Sequence, residues 1–368
     1  LGAVLAGCRI LAAYPITPAT EILYWVLANL PKYGGKVLQA EDEIAACIMA
    51  IGANYAGVRS MTSTSGPGLS LMMEALGMTG ISETPLVIVD VQRGGPSTGL
   101  PTKTEQSDMN EALWGSHGET PRIVISPLSI EDCFYQMINA FNLADKYQLP
   151  VIVLSDLFIG MNKMTFPELD LSRVQIDRGK MVTQEQLDAL EKGAFKRYAI
   201  DVEDGISPRS IPGQKNGRYC ALTNEHEETG LEIEDVPMRE AQMKKRFRKL
   251  DTVERDINDW GVEYRGPENA DVLLVGVGST YAQIGEAVKQ LGGNVGHLQL
   301  RGLMPFPKQT VKKHIAGAKR VIVVDNNYTG QLLHLIQREV GFHDKLELLN
   351  KYDGNPFLVR EIVAAVKG

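Results

Sequence analysis

Short apolar runs alternate with helix-period segments through the first 156 residues, and this alternation constrains the fold more than any other feature. The predicted strands cover 58–64, 85–92, 122–126 and 150–156, and the predicted helices cover 18–30, 42–55, 69–79 and 129–147. Ser129, followed closely by Glu131 and Asp132, is typical of a helix N-terminus. Apolar strands separated by helices are typical of a parallel sheet covered on both faces. The sequence therefore predicts an α/β fold.

The second half of the chain predicts an arm and then a second α/β unit. Residues 201–265 are rich in turn residues and then in charge. Their charged run, MREAQMKKRFRKLDTVERD (238–256), predicts a helix with a solvated face, and a docking surface is the alternative. The second unit combines strands at 271–279, 295–300 and 320–325 with a helix at 280–291 and a terminal helix. Because Tyr281 stands where GxGxxG needs its third glycine, GVGSTY predicts a plain strand-to-helix turn.

Composition and charge narrow the class of protein. The net charge of −7 argues against a nucleic-acid partner, since binding a polyanion relies on clustered Lys and Arg. The four cysteines are far apart and form no CxxC or Cys/His cluster, which predicts a reducing cytoplasm and no protein-borne metal cluster. No run is long and apolar enough to predict a membrane span. The apolar start LGAVLAGC leads us to expect further sequence upstream of Leu1.

The segment AAYPITPATEI (12–22) places two prolines where a strand gives way to a helix. Pro15 forces Tyr14 out of the α region, and Pro18 suits a first helical position with Thr17 as the N-cap. A helix N-terminus aimed by such a turn favours anions. Taken alone, however, the segment is explained by a well-capped helix with no further role.

Three acids precede an almost wholly apolar run at 44–53. Negative charge at a helix start is favoured by the helix dipole, which accounts for two of Glu41, Asp42 and Glu43. A carboxylate at the mouth of a deeply buried helix also suggests a specific partner that needs its charge or its proton.

Two loops are rich in glycine and in hydrogen-bond donors. TSTSGPGLSLMMEALG (62–77) predicts either a tight strand-helix connection or a backbone that a flat ligand approaches closely. QRGGPSTGLPTKTEQSD (92–108) directly follows a predicted strand, so it lies at the carboxyl end of the sheet, where α/β folds bind ligands. We interpret it as an anion-recognition loop in which Arg93 forks onto a carboxylate. His226, in TNEHEETG (223–230), is interpreted as a surface histidine, with a metal site as the alternative.

Seven of these stretches occur in an order that resembles the alpha subunits of 2-oxoacid:ferredoxin oxidoreductases, which are thiamine-diphosphate enzymes. They are YPITP, QAEDEIAA, TSTSGPGLSLM, QRGGPSTGLPTKTEQSD, ISPRSIPG, EHEETG and NNYTGQL, and they run nearly end to end. The resemblance implies a pyrimidine-binding domain with a parallel sheet at 1–200, an arm at 201–265 and a transketolase-C-terminal-like α/β domain at 266–368.

The resemblance also assigns site residues. The family's cofactor-activating glutamate, which bonds the aminopyrimidine ring, corresponds to Glu43, and Pro18, Ser65 and Gly66 are further expected cofactor contacts. Thr17 and Arg93 are expected to act on the substrate by holding its C1 carboxylate. Thr102 is expected as an extra substrate contact.

The resemblance implies an oxidative decarboxylation in which a 2-oxo acid and coenzyme A yield acyl-CoA, CO2 and reduced ferredoxin. The loop form GGPSTGLPT favours 2-oxoglutarate, and pyruvate or a broad range of oxo acids is the alternative. Since the chain lacks a GDG motif and cluster cysteines, Mg²⁺ and a [4Fe-4S] cluster are expected in a beta subunit. A gamma domain, fused or separate, is a further expected partner. A ferredoxin-independent transketolase- or dehydrogenase-type subunit and a non-catalytic scaffold subunit remain alternatives.

Overall fold

The computed structural model describes residues 1–341 and 344–368, which form two sheets flanked by helices. The strands are β1 (Ile10–Ala13), β2 (Lys36–Gln39), β3 (Ser60–Thr64), β4 (Leu86–Gln92), β5 (Ile123–Ile125), β6 (Pro150–Asp156), β7 (Val262–Arg265), β8 (Val272–Val277), β9 (Val295–Leu300), β10 (Gly302–Met304), β11 (Arg320–Asp325) and β12 (Leu346–Asn350). The helices are α1 (Gly2–Leu5), α2 (Thr20–Asn29), α3 (Glu43–Tyr55), α4 (Gly66–Leu71), α5 (Met73–Ser82), α6 (Met109–Trp114), α7 (Ile130–Tyr147), α8 (Leu157–Met161), α9 (Gln184–Asp188), α10 (Val236–Trp260), α11 (Thr280–Leu291), α12 (Lys308–Gly317), α13 (Gln331–Val340) and α14 (Val359–Lys367).

The first sheet has seven strands in the order β10-β5-β6-β4-β3-β1-β2, and all its pairs are parallel except β10 with β5. Its central strands β3, β4 and β6 are buried along their whole length, because helices cover both faces. The second sheet has the order β12-β11-β8-β9-β7, with only the β7–β9 pair antiparallel. The predicted α/β fold class is therefore confirmed.

Several predicted elements agree with the structure to the residue, including strands 150–156, 295–300 and 320–325 and helix 280–291. The Ser129 side chain accepts a hydrogen bond from the Asp132 backbone N–H at 3.1 Å, which confirms the predicted N-cap. The single helix predicted at 69–79 is wrong. Two helices, α4 and α5, meet at Met72, whose N–H bonds to the Leu69 carbonyl three residues back and so tightens the turn.

The charged helix α10 has the predicted solvated face, which includes Lys244 and Asp251, but it also buries charged side chains on another stripe. The side chains of Lys245 and Lys249 are fully buried and both pair with Glu83, at 2.5 Å from Lys245 Nζ to Glu83 Oε1. Burial alone would raise the pKa of Glu83, but the two lysine charges outweigh it and hold that pKa well below its usual range. A run rich in Lys, Arg, Asp and Glu predicts exposure, yet one stripe of this helix is buried.

His226 is buried and not at the surface, which corrects the sequence interpretation. Its Nδ1 lies 3.0 Å from the Asn224 carbonyl oxygen, and its ring centroid lies 4.1 Å from that of Tyr198. In the described ranges, no group of three or more His, Cys, Asp or Glu side chains is suited to hold a metal ion. The histidine thus packs as part of the contact between α10 and the segment before it.

The domain limits at 200 and 265 stay a prediction.

Replacing Glu83 with Gln tests the buried ion cluster. We expect the free energy of unfolding to fall by about 3–5 kcal/mol, because two buried ammonium groups lose their counter-ion. Thermal or denaturant unfolding followed by circular dichroism measures the change. Lys244→Met is the matched control, since Lys244 lies on the same helix in an exposed pair with Glu240, and it should change stability by less than about 1 kcal/mol. Equal effects of the two substitutions would contradict the assignment.

Candidate active site

The candidate site lies where the strand order of the first sheet reverses. From β1 the chain goes to β2 on one side and then returns to β3 on the other side of β1. The connections after β1 and β3 therefore diverge, and a crevice opens at the carboxyl ends of these strands, the usual ligand position in such sheets. The segment around Thr17 follows β1, the segment around Ser65 follows β3, and Arg93 follows β4. The topology brings three of the predicted segments to one edge.

Arg93 joins two of these segments directly. Its Nη1 donates to the Thr17 carbonyl oxygen at 2.5 Å, and its Nη2 donates to the Thr98 carbonyl oxygen at 3.1 Å. The side chain is only 6% exposed, and its Nε is buried with no partner. A buried guanidinium that contacts only carbonyl dipoles keeps its full charge available for an anion.

Thr17 does not cap the following helix, so that prediction is wrong. Helix α2 begins at Thr20 with Ala19 in the N-cap position and without a side-chain cap bond. The N–H groups of Ala19 and Thr20 both donate to the Ile16 carbonyl oxygen, at 2.7 and 3.0 Å, which forms a turn ahead of the helix. Thr17 is exposed in that turn while Pro18 is buried. The Thr17 side chain is therefore not used to cap helix α2 and is accessible in the turn after β1.

The three acids at the start of α3 have different roles. Asp42 is the N-cap and accepts the Ala45 N–H at 2.7 Å, whereas Glu41 is exposed. Glu43 is 6% exposed, and its carboxylate takes no hydrogen bond from the described part of the chain. Capping thus explains Asp42, but it does not explain the burial of Glu43.

The turn after β3 lies directly against Glu43. A Cβ added to Gly68 would come within 2.7 Å of Glu43 Oε1 and 2.0 Å of Thr64 Oγ1. Only glycine allows this approach of α4 to the carboxylate. Ser65, ahead of α4, is fully buried and its Oγ has no partner, and Gly66 lies against the Asp108 carboxylate. Glu43 therefore lies against the turn that carries Ser65 and Gly66, and we call this turn together with Glu43 the cradle.

The long loop after β4 closes on itself and leaves Thr102 outside the cradle. The Leu100 N–H donates to the Gly94 carbonyl oxygen at 2.7 Å, and the Gly94 N–H donates to the Lys103 carbonyl oxygen at 3.0 Å. Thr102 is exposed on the outer part of this loop. Its contact with a substrate stays a prediction.

Residues that the sequence did not single out fix the far end of this loop. Gln106 donates through Nε2 to Asp156 Oδ2 at 2.9 Å and to the Val277 carbonyl oxygen at 3.1 Å. Its backbone N–H donates to the Asn326 carbonyl oxygen at 2.8 Å, and Asn327 Nδ2 donates to its carbonyl oxygen at 3.0 Å. The motif NNYTGQL of the second sheet thus holds the loop of the first. The sequence signal that could have indicated this attachment is a polar residue at the end of a buried strand, such as Asp156.

Asp90 is another residue that the sequence did not indicate. It lies within the apolar strand β4, is fully buried, and neither carboxyl oxygen has a hydrogen-bond partner in the described residues. Burial and the nearby charges of Asp108 and Glu111 raise the pKa of Asp90 well above its usual value.

Comparison with known proteins follows this geometry. A sequence profile described as pyruvate flavodoxin/ferredoxin oxidoreductase, thiamine diphosphate-binding, matches residues 1–245, and one described as pyruvate:ferredoxin oxidoreductase core domain II matches residues 270–362. The 2-oxoglutarate synthase subunit KorA of Methanothermobacter marburgensis is 37% identical over 374 residues, covering 100% of this chain and 96% of KorA. The chain belongs to the 2-oxoacid:ferredoxin oxidoreductase alpha-subunit family.

Two further similarities agree with the family. The alpha subunit of 2-oxoacid:ferredoxin oxidoreductase 1 from Aeropyrum pernix is 40% identical over 380 residues. A solved 2-oxoglutarate:ferredoxin oxidoreductase from Magnetococcus marinus, with 2-oxoglutarate, coenzyme A and succinyl-CoA bound, matches with a TM-score of 0.93 at 43% identity. Both matches cover 100% of this alpha chain. The chain spans 58% of the Aeropyrum subunit and 63% of the Magnetococcus chain.

The described helices include none that is both long and apolar enough to cross a membrane.

Gly68→Ala tests the contact between α4 and Glu43. We expect thermal stability to fall by an amount typical of core overpacking, about 1–3 kcal/mol, because the new methyl group would overlap Thr64. Gly285→Ala is the control: it lies in α11, and its added methyl group would meet only His297 Nδ1 at 3.9 Å. That variant should be neutral or up to about 1 kcal/mol more stable. A neutral Gly68→Ala would show that the turn is not closely packed.

Proposed function

We propose that this chain is the alpha subunit of an enzyme that oxidatively decarboxylates a 2-oxo acid, with 2-oxoglutarate as the substrate. In the proposed reaction, the oxo acid and coenzyme A give acyl-CoA and CO2, and ferredoxin takes up the two electrons. The observation that carries the proposal is the contact of Arg93 with Thr17 at the topological switch point. The relatives named for 2-oxoglutarate support this substrate, with pyruvate or several oxo acids as the alternative.

The Arg93–Thr17 pair suits the carboxylate of an oxo acid. Arg93, after β4, supplies a buried positive charge with an unpartnered Nε. Thr17, in the turn after β1 that Arg93 contacts, is exposed and supplies a hydroxyl. A charge-assisted hydrogen bond and a neutral one converging on the same group would orient the substrate as well as bind it. Thr102, on the closing part of the loop, is proposed as the extra contact.

The residues of the cradle fit thiamine diphosphate. Glu43 is 6% exposed and has no protein donor to its carboxylate. Ser65 has a buried hydroxyl without a partner. Gly66 and Gly68 allow the Asp108 and Glu43 side chains to approach this turn closely. An unsatisfied buried acceptor calls for a donor that binding would supply, such as a ring nitrogen that carries a proton. When bound, this cofactor supplies a carbon nucleophile that adds to the keto carbon. Glu43 would hold the proton on the ring, and Pro18 would support the ring from the neighbouring turn.

A partner subunit would complete the site. The outward face of α3, beginning next to Glu43, is apolar: it consists of Ile44, Ile48, Met49 and Gly52. Ile44, Ile48 and Met49 are 47%, 39% and 44% exposed, which is unusual for one helix face in water. We propose that a beta subunit covers this face and supplies Mg²⁺, the diphosphate-binding GDG motif and a [4Fe-4S] cluster. A gamma domain or subunit is a further proposed partner, and the location is proposed to be the cytoplasm.

Two other hypotheses remain distinguishable from this proposal. A ferredoxin-independent transketolase- or dehydrogenase-type subunit would pair with a partner that lacks cluster cysteines. A scaffold subunit would keep the fold without catalysis. The simultaneous presence of Thr17, Glu43 and Arg93 in the chain favours an enzyme.

The proposal is tested by producing the chain together with its beta partner. The purified complex should reduce a viologen dye when given 2-oxoglutarate and coenzyme A, and the chain alone should not. Pyruvate in place of 2-oxoglutarate reports substrate choice. Absence of dye reduction with every 2-oxo acid tried would refute the proposed function.

Arg93→Ala should lower kcat/KM for the oxo acid by roughly 10- to 100-fold, the usual effect of losing a hydrogen bond to a charged group. Arg93→Lys retains the charge but loses the fork, so its loss should be smaller. Steady-state kinetics of the complex measures both, with Arg265→Ala, whose side chain is 66% exposed, as the control. Wild-type KM and kcat for Arg93→Ala would exclude it as the carboxylate ligand.

Glu43→Gln should slow exchange of the C2 proton of bound thiamine diphosphate with deuterium oxide by on the order of 100-fold, because an amide cannot hold the ring proton as a carboxylate does. Quenched-flow exchange followed by NMR measures this rate. Glu41→Gln is the control, since Glu41 is the exposed acid two residues earlier. If the exchange rates of the two variants agree, Glu43 has no part in cofactor activation.

A further inference from the structure

Two carboxyl groups at the base of the Arg93 loop lack the partners that ionised carboxylates need. Asp90 is fully buried in β4, between Thr64 of β3 and Leu154 of β6 in register, and both of its oxygens are unpartnered. Asp108 lies at the other end of the loop, and its buried Oδ2 is also unpartnered. An ionised carboxylate in such surroundings is very unfavourable, whereas a protonated one is tolerated.

The geometry places the two groups over the same face of the sheet. Residues 90 and 92 of β4 point to one face because side chains alternate along a strand. The Asp108 backbone N–H donates to Gln92 Oε1 at 3.1 Å. The Asp108 carboxylate also lies against Gly66, two residues beyond Thr64, the register partner of Asp90. One acid, Asp90, therefore lies just before the loop, and the other, Asp108, lies at its end.

The charges around this pair are mostly negative. Glu111 on α6 faces both acids, and Glu105 in the loop faces Asp108. Arg93 is the positive group that faces Asp108. Burial, and then the charges of Glu111 and Glu105, raise the pKa of Asp108 despite Arg93. Burial and the surrounding negative charges therefore disfavour ionisation of both acids together.

The charges of Arg93 and Asp108 act on each other, and Arg93 is also the proposed ligand of the substrate carboxylate. Its hydrogen bonds go to the carbonyl oxygens of Thr17 and Thr98, and no acid pairs with it among residues 1–341 and 344–368. An ionised Asp108 would compete with an incoming carboxylate for that charge.

We propose that Asp90 and Asp108 together carry one proton at neutral pH, and that this proton keeps the charge of Arg93 available to the substrate. The second half rests on the proposed function, because it takes the substrate to be an anion. The pair thus acts as a positioning device: it sets the charge around Arg93 and touches neither substrate nor cofactor.

The shared proton is tested without any activity measurement. Infrared difference spectra of the protein at pH 7, wild type minus Asp90→Asn, should contain the carbonyl stretch of a protonated carboxyl group. Aspartate labelled with ¹³C should shift that band, and the exposed Asp251→Asn on α10 should leave it unchanged. If the difference spectrum of wild type minus Asp90→Asn lacks the band of a protonated carboxyl group, the proposal is overturned.

Stability against pH gives a second measurement. A carboxyl group whose pKa is raised by folding stabilises the protein fully below its unfolded pKa of about 3.9, and this contribution is lost as pH rises through the folded value. The Asp90→Asn variant lacks the titrating carboxyl group, so its stability does not fall in this way as the pH rises. Its melting temperature relative to wild type should therefore rise from pH 5 to pH 8, whereas Asp251→Asn should stay parallel to wild type. A constant difference for Asp90→Asn counts against the shared proton.

The role of the proton is tested on the complex with its partner subunit. Wild-type KM for 2-oxoglutarate should rise at alkaline pH, by up to about tenfold for each pH unit once the pair has ionised. In the Asp108→Asn variant, KM should not rise at alkaline pH. Because this effect is on KM and not on kcat, it is distinguishable from general damage to the enzyme. If the variant keeps the wild-type rise, Asp108 does not control Arg93. If the complex uses no 2-oxo acid, the proposed function and this role fail, while the infrared result still decides the shared proton.

Discussion

Gln106 fastens the candidate substrate loop to both sheets at once, and the geometry of the site depends on this attachment. Its side chain bonds to Asp156 at the end of β6 and to the Val277 carbonyl at the end of β8. Its backbone bonds to Asn326 and Asn327, just after β11. With its far end held by two sheets, a loop rich in glycine has few conformations left, and Arg93 at its near end is aimed at Thr17. Rigid strand ends position a loop that would otherwise be mobile.

Buried ion pairs hold the segment between the two sheets in place. From 162 to 235 the chain has little regular structure beyond α9 and a short 3₁₀ turn. Asp145 on α7 accepts from Arg59, Arg178 and Arg209, and two of these arginines hold this segment to the first sheet. Arg246 on α10 pairs with Glu225 in the same segment. Ion pairs with several partners thus replace the hydrogen-bonded ladders that the segment lacks.

Sequence reasoning predicted the parts of this fold that follow from periodicity. Strands such as 150–156 and 320–325 have apolar centres and were located to the residue. It missed the buried stripe of α10, because a lysine looks the same in sequence whether its ammonium group contacts Glu83 or water. It failed for the Thr17 cap because a turn around Ile16 intervenes. The roles of Thr17 and Glu43 came from resemblance, whereas Arg93 was also indicated by its loop. The strand order explains why Arg93 and Thr17 come into contact. Asp90 was hidden in an apolar strand, since burial of an acid leaves no mark in composition.

One short strand limits how the molecule can move. Residues 302–304 come after β9 of the second sheet, yet as β10 they pair with β5 of the first, and the Ser126 N–H donates to the Arg301 carbonyl oxygen at 2.7 Å beside them. The chain therefore crosses between the sheets and is hydrogen-bonded on both sides of the crossing. Opening the two halves like a hinge would require breaking backbone ladder bonds as well as side-chain contacts. Any closure around a bound molecule must therefore come from loops or from a neighbouring subunit, while the two sheets behave as one rigid block.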